Sequence, residues 1–161
     1  MDDLAQKPGV GAPFGTAVPL PETDLMVCVK CRSGQEVPQD ARRPGQLLFD
    51  DLAARDLGLG IRLHAVECLQ NCDAGCTIAL RGGERWSYVF GNVDANTQAD
   101  MVVDGARRYH ATADGLIPWR ERPEHFKRNC VARLPPVFTA PPAAPSVNSA
   151  PRPATKDIAH D

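Results

Sequence analysis

No stretch of the chain approaches the roughly 18 apolar residues that a membrane-spanning helix needs. The opening MDDLAQKPGVGAPFG has acidic residues where a signal peptide requires a basic region. Neither acidic nor basic residues predominate. A formal net charge of -2 and a pI of about 6.1 leave no broad basic surface for phosphate backbones or anionic lipid heads. No Ser-His-Asp pattern, P-loop or paired-carboxylate signature occurs, so hydrolase and kinase chemistry has no support. No internal repeat is found. These absences argue against nucleic acid and membrane as partners and lead us to expect a cytoplasmic protein.

What the chain does have is enough apolar material for one core: 161 residues, 43% of them hydrophobic, suit a single domain. Residues 1–22 hold several Pro and Gly and no sustained apolar period, which predicts a flexible arm. From Pro135 to Asp161 the chain is rich in Pro, Ala and Ser, the composition of an extended, disordered tail. The foldable part is expected over residues 23–134.

Within it, Leu25 to Val29 is a short apolar run suited to a buried strand ending at a cysteine pair. Pro44 suits a helix start, and Leu47, Leu48, Leu52 and Leu57 place an apolar stripe on one helical face, with Gly58 and Gly60 stopping the helix. Ile61, Leu63, Ala65 and Val66 read as a second strand, and a strand-helix-strand unit is normally parallel and right-handed. Both cysteine groups then lie at one sheet edge. Cys76 to Leu80 and Trp86 to Phe90 flank the polar, Gly-containing segment Arg81 to Arg85, which predicts an antiparallel hairpin. Asp94 or Asn96 is placed to cap a helix carrying Ala99, Val102, Val103, Ala106 and Tyr109, with Gly115 beyond its end. The expected order is strand, helix, strand, strand, strand, helix.

Of six cysteines, five fall into close groups: Cys28 and Cys31, then Cys68, Cys72 and Cys76. In a reducing compartment such groups more often bind metal or do redox work than form structural disulfides. Four thiolates satisfy tetrahedral zinc or the two irons of a 2Fe-2S cluster. The expected ligands are Cys28, Cys31, Cys68 and Cys72, with Cys76 able to replace one or to stabilise the site. The odd fifth sulfur favours iron-sulfur over zinc. So do the small or polar loop residues Gln70, Asn71, Ala74 and Gly75, which leave backbone N–H groups free to bond sulfur.

The segment Glu67-Cys68-Leu69-Gln70-Asn71-Cys72 resembles the second ligand pair of thioredoxin-like 2Fe-2S ferredoxins, including the small peripheral subunit of respiratory complex I, which reads Cys-Leu-Gly-x-Cys. The chain departs from that pattern in its tighter first pair, Cys28-x-x-Cys31, and in the extra Cys76. A wider resemblance is to an uncharacterised bacterial family of predicted metal-binding proteins. It is carried by Val27 to Arg32, Glu67 to Ala79, Trp86 to Gly91 and Leu116 to Pro123. What these likenesses imply is a thioredoxin-like α/β domain and metal binding, with electron transfer or an accessory role and a redox or metal-transfer protein as partner. The second family also implies zinc or cobalt handling linked to metal supply or cobalamin metabolism.

Other residues carry weaker readings. Cys28 and Cys31 have the spacing of a thiol-disulfide oxidoreductase dithiol, but that chemistry does not require Cys68, Cys72 and Cys76, and no long helical pattern begins directly after Cys31. His64 lies on the strand face of Val66 and Cys68 and reads as a satisfied or solvent-facing histidine rather than a ligand. Cys130 stands alone in a polar stretch and reads as structural or incidental rather than as a ligand. The basic segment Pro118 to Arg128 suits either a salt-bridged wrap on the core or a docking surface for an anionic partner.

Overall fold

The computed structural model describes residues 20–137. The expected arm and tail lie almost wholly outside them. The described chain is a mixed α/β domain built on one five-stranded sheet. Its strands are β1 (Thr23–Cys28), β2 (Ile61–Val66), β3 (Ile78–Arg81), β4 (Ser87–Phe90) and β5 (Cys130–Leu134), in the spatial order β2-β1-β3-β4-β5. The helices are α1 (Pro44–Ala53), α2 (Ala99–His110) and α3 (Glu124–Arg128).

β1 pairs in parallel with β2 from Thr23 opposite Ile61 to Cys28 opposite Val66, and antiparallel with β3 on its other side. Successive strand side chains point to opposite faces. Leu25, Val27, Ile78, Leu80, Tyr88 and Phe90 therefore share one face, and all are buried. Leu48 and Leu52 of α1, Val102, Ala106 and Tyr109 of α2, and Phe126 of α3 join the same core cluster. Fully burying one such side chain is worth about 1.5–3 kcal/mol, so this face supplies the main drive to fold. The other face carries Asp24, Met26, Arg62, His64 and Arg81, partly or fully exposed.

The parallel unit, the β3–β4 hairpin and the α2 stripe match expectation; several details do not. α1 starts at Pro44 but ends at Ala53, before Leu57. Arg107 of α2 bonds the carbonyls of Asp56 and Leu57, drawing that segment away from a helical path. Gly58 and Gly60, with φ of 95° and 80°, shape the loop into β2 rather than stopping the helix. Neither Asp94 nor Asn96 caps α2, whose N-cap is Gln98. Asp94 instead accepts the Asn96 N–H, and the Gln98 side chain accepts the Asp94 N–H.

The expected order also lacks α3 and β5. The basic segment, which includes α3, packs on the core: Phe126 is fully buried and stacks on Phe90 at 3.8 Å between ring centroids. Glu124 pairs with Lys127 and Arg128, and the Arg122 guanidinium lies over the rings of Tyr88 and Trp119. This is the salt-bridged wrap. Arg85, expected in a polar hairpin loop, is only 2% exposed. It donates to the carbonyls of Pro21, Glu22, Gly82, Tyr109, His110 and Thr112 and to the Thr23 hydroxyl.

Candidate metal centre

Parallel pairing puts the C-terminal ends of β1 and β2 side by side, and each continues directly into a cysteine loop. At the end of β1, Cys28 is buried and its thiol reaches the Glu67 carbonyl at 3.6 Å. The chain then turns back on itself, the Cys31 N–H bonding the Cys28 carbonyl. The first turn of α1 seats on this turn. The Gly45 N–H donates to the Cys31 carbonyl, and a side chain at Gly45 would collide with the Cys28 carbonyl.

Beyond β2, Cys68 and Cys72 are exposed, Cys72 opening a short 3-10 turn through Ala74. Asn71 holds this loop, its side-chain amide donating to the Ala74 carbonyl and the Thr77 hydroxyl, both at 3.1 Å. Cys76 is fully buried, its backbone exchanging two hydrogen bonds with Val93.

A cleft of about 420 Å³ is lined by Cys28, Cys31, Cys68 and Cys72. Lys30, Arg32, Arg43 and Glu67 complete its wall, with Lys30 and Glu67 paired at 3.0 Å. A larger cleft of about 540 Å³ lies beside it, its wall including Ser33, Gly75 and the Asn92 to Asn96 segment. It contains no thiol or histidine, so we place the chemistry in the smaller one. Cys76 does not line either cleft. It stands behind Cys31, whose sulfur lies against Gly75, the residue before Cys76, and the two thiols are close enough to shift each other's acidity.

That contact pulls the two thiols apart in acidity: the bond from Cys76 lowers Cys31 although burial opposes it, and the bond to Cys31 together with burial raises Cys76. Burial raises Cys28 against a hydrogen bond from the Leu69 N–H, and the neighbouring Cys68 raises Cys72. Backbone N–H groups face several of the sulfurs. Gln70 donates to Cys68 Sγ at 3.2 Å, Leu69 to Cys28, and Ser33 and Thr77 to Cys31.

Among the described residues, no three His, Cys, Asp or Glu side chains stand at the spacing of a coordination sphere. The four lining thiols share a cleft without being drawn to one point. Their chemistry suits a thiophilic metal, since soft thiolates select zinc, copper(I) and iron-sulfur centres. Cys130 is exposed at the start of β5, its thiol directed to the Ala132 carbonyl, and lines neither cleft. His64 bonds Asp24 at 2.8 Å on the open sheet face and is not part of the cleft wall.

Sequence reasoning passed over the cations of the wall. Lys30 and Arg32 flank Cys31 in the chain, whereas Arg43 arrives through the fold, donating to the Lys30 carbonyl at 3.0 Å. It also passed over Asn71 and Thr77 as loop braces. No curated protein and no solved structure matches the chain. A family model described as a protein of unknown function, DUF1636, matches residues 25–136, from within β1 to just beyond β5 and including all six cysteines; the chain belongs to that family.

Proposed function

We propose that the chain is a metal-binding protein whose Cys28, Cys31, Cys68 and Cys72 hold a 2Fe-2S cluster, serving electron transfer or an accessory role in the cytoplasm. The observation that carries this reading is the cleft itself: four thiols from two loops line one cavity, with backbone N–H groups directed at Cys28, Cys31 and Cys68. Such donors stabilise thiolate over thiol and tune a cluster's potential. A thioredoxin-like fold is supported by the parallel β1-α1-β2 unit followed by the β3–β4 hairpin and α2.

When bound, the cluster supplies one reversible electron step. The protein's part is to hold the thiolates, to balance their charge through Lys30, Arg32 and Arg43, and to keep half of the donor set buried. The same three cations suit a redox or metal-transfer partner with an acidic face around its own centre.

A second reading, a zinc- or cobalt-handling protein, is favoured by the exposure of Cys68 and Cys72, because ligands open to solvent are the ones another protein's ligands can displace. Anaerobic purification separates the two readings. A cluster gives a reddish-brown protein whose visible absorption bleaches with dithionite, with about two iron and two acid-labile sulfide per chain. A colourless preparation with stoichiometric zinc and no sulfide defeats the cluster and supports the second reading, since zinc has no redox chemistry.

A further inference from the structure

We propose that Cys31 and Cys76 form a thiol-disulfide exchange pair that reacts with low-molecular-weight disulfides entering the thiol cleft. Cys31 is the entering nucleophile and Cys76 the resolving thiol. Three observations assign these roles. Cys31 forms part of the cleft wall while Cys76 does not, so of these two only Cys31 meets a molecule in the cleft. Cys76, fully buried behind it, has its thiol against that of Cys31. Gly75 makes the contact possible, because a side chain there would occupy the position of Cys31 Sγ. Cys28, the other neighbour, also touches Cys31, but more weakly than Cys76 does, and it directs its thiol to the Glu67 carbonyl, so Cys76 is the better-placed resolving thiol.

The electrons balance in two exchanges. The Cys31 thiolate attacks one sulfur of the small disulfide, forming a mixed disulfide and expelling one small thiolate. The Cys76 sulfur then attacks Cys31, forming the Cys31–Cys76 bond and expelling the second. The protein loses two electrons and two protons, and the small disulfide becomes two thiols. A consequence resting on the metal-binding reading is that the crosslink removes Cys31 from the ligand set.

The crosslink itself requires no metal, so it is tested on the metal-free full-length chain. The protein is treated with oxidised glutathione, a small disulfide used as a probe, and mapped by non-reducing peptide digestion and mass spectrometry. The expected product is an intramolecular Cys31–Cys76 disulfide. In Cys76→Ser, Cys31 is expected to stop at the mixed disulfide and retain a glutathione adduct, and in Cys130→Ser, outside the cleft, the crosslink is expected to form as in the parent. A Cys28–Cys31 disulfide in the parent chain, or a folded parent chain with Cys31 unmodified, overturns the proposal. Zinc uptake by the reduced chain reads the metal-binding proposal separately. A crosslinking chain that takes up no zinc when reduced leaves the exchange pair standing and counts against the centre.

Discussion

Cys28 and Val66 are partners on the last rung of the β1–β2 ladder. Because that ladder is parallel, the two loops that follow leave the sheet in the same direction. The thiols of Cys28 and Cys31 thereby meet those of Cys68 and Cys72 across one cleft, although about forty residues separate the two pairs in sequence.

This placement separates the cysteines by role. Cys72→Ser is expected to lower bound metal sharply, and Cys130→Ser, changing a thiol that faces the Ala132 carbonyl, is expected to leave it unchanged. Metal analysis of the two purified variants checks this, and equal loss in both would defeat the ligand assignment.

Phe126 is the anchor of the C-terminal wrap. It fills the space left by the missing side chain of Gly105 and stacks on Phe90. Phe126→Ala should cost about 3–5 kcal/mol, the range for a buried aromatic truncated to Ala. Trp119→Ala, at a position 60% exposed, should cost less. Urea unfolding of both variants measures the difference, and similar midpoints would mean the wrap is not anchored at Phe126.

Two titrations are expected in the stability curve, in different windows. Burial, with the nearby Arg85 charge, lowers His110 below its ordinary value of 6.5. The Thr23 hydroxyl, which accepts from Arg85, lies 3.0 Å from His110 Nδ1, a bond the neutral ring can make. A depressed folded value means that this contribution is complete above 6.5 and declines as pH falls through the folded value. Burial would raise Asp24, but hydrogen bonds from His64 and Arg62 outweigh it and hold the carboxyl below 3.8. Its contribution is present above that value and is lost in stronger acid. Melting temperature against pH should lose the weakly acidic slope in His110→Gln and the strongly acidic one in Asp24→Asn. A parental profile in either variant refutes that assignment.

Arg85→Met keeps most of the side chain's bulk but removes every bond it donates. The carbonyls of Pro21, Glu22, His110 and Thr112 lose the guanidinium, at about 1–3 kcal/mol for each group left unsatisfied, so the loss should exceed that of Phe126→Ala. Arg85→Lys should recover only part of it, because an ammonium lacks the planar fork. Chemical denaturation of the three variants orders them, and a neutral Arg85→Met would show that water replaces the guanidinium at no cost.

How far the sequence reveals this molecule depends on where each signal is local. β1, β3 and β4 were legible because their apolar side chains recur along a few residues, and α2 because its stripe spans three turns. β5 was not legible: Cys130, Val131, Arg133 and Leu134 are all exposed, so this edge strand shows no buried alternation, and its place is set by pairing with β4. The two cysteine groups could be read from spacing alone. The position of Cys76 behind Cys31 could not, since it depends on Val93 and on the missing side chain at Gly75. Arg85 misled for a similar reason. A charged residue beside Gly82 and Gly83 resembles a solvated turn until the carbonyls of α2 and of the chain entering β1 are brought around it.

The Arg85 clamp gives β1 two unlike ends. At Thr23 the strand is tied to the hairpin and to the close of α2 through one guanidinium. At Cys28, roughly 16 Å away at the usual rise per residue, it runs into loops held by scattered hydrogen bonds such as those of Asn71 and Gly45, with no single group that gathers them. Amide hydrogens near Thr23 and Leu25 should exchange with solvent only when the whole domain unfolds, and those of Leu69 to Ala74 through brief local opening. The cysteine loops can then breathe while the sheet beneath them stays intact, so a guest entering or leaving the cleft would not have to wait for the protein to unfold.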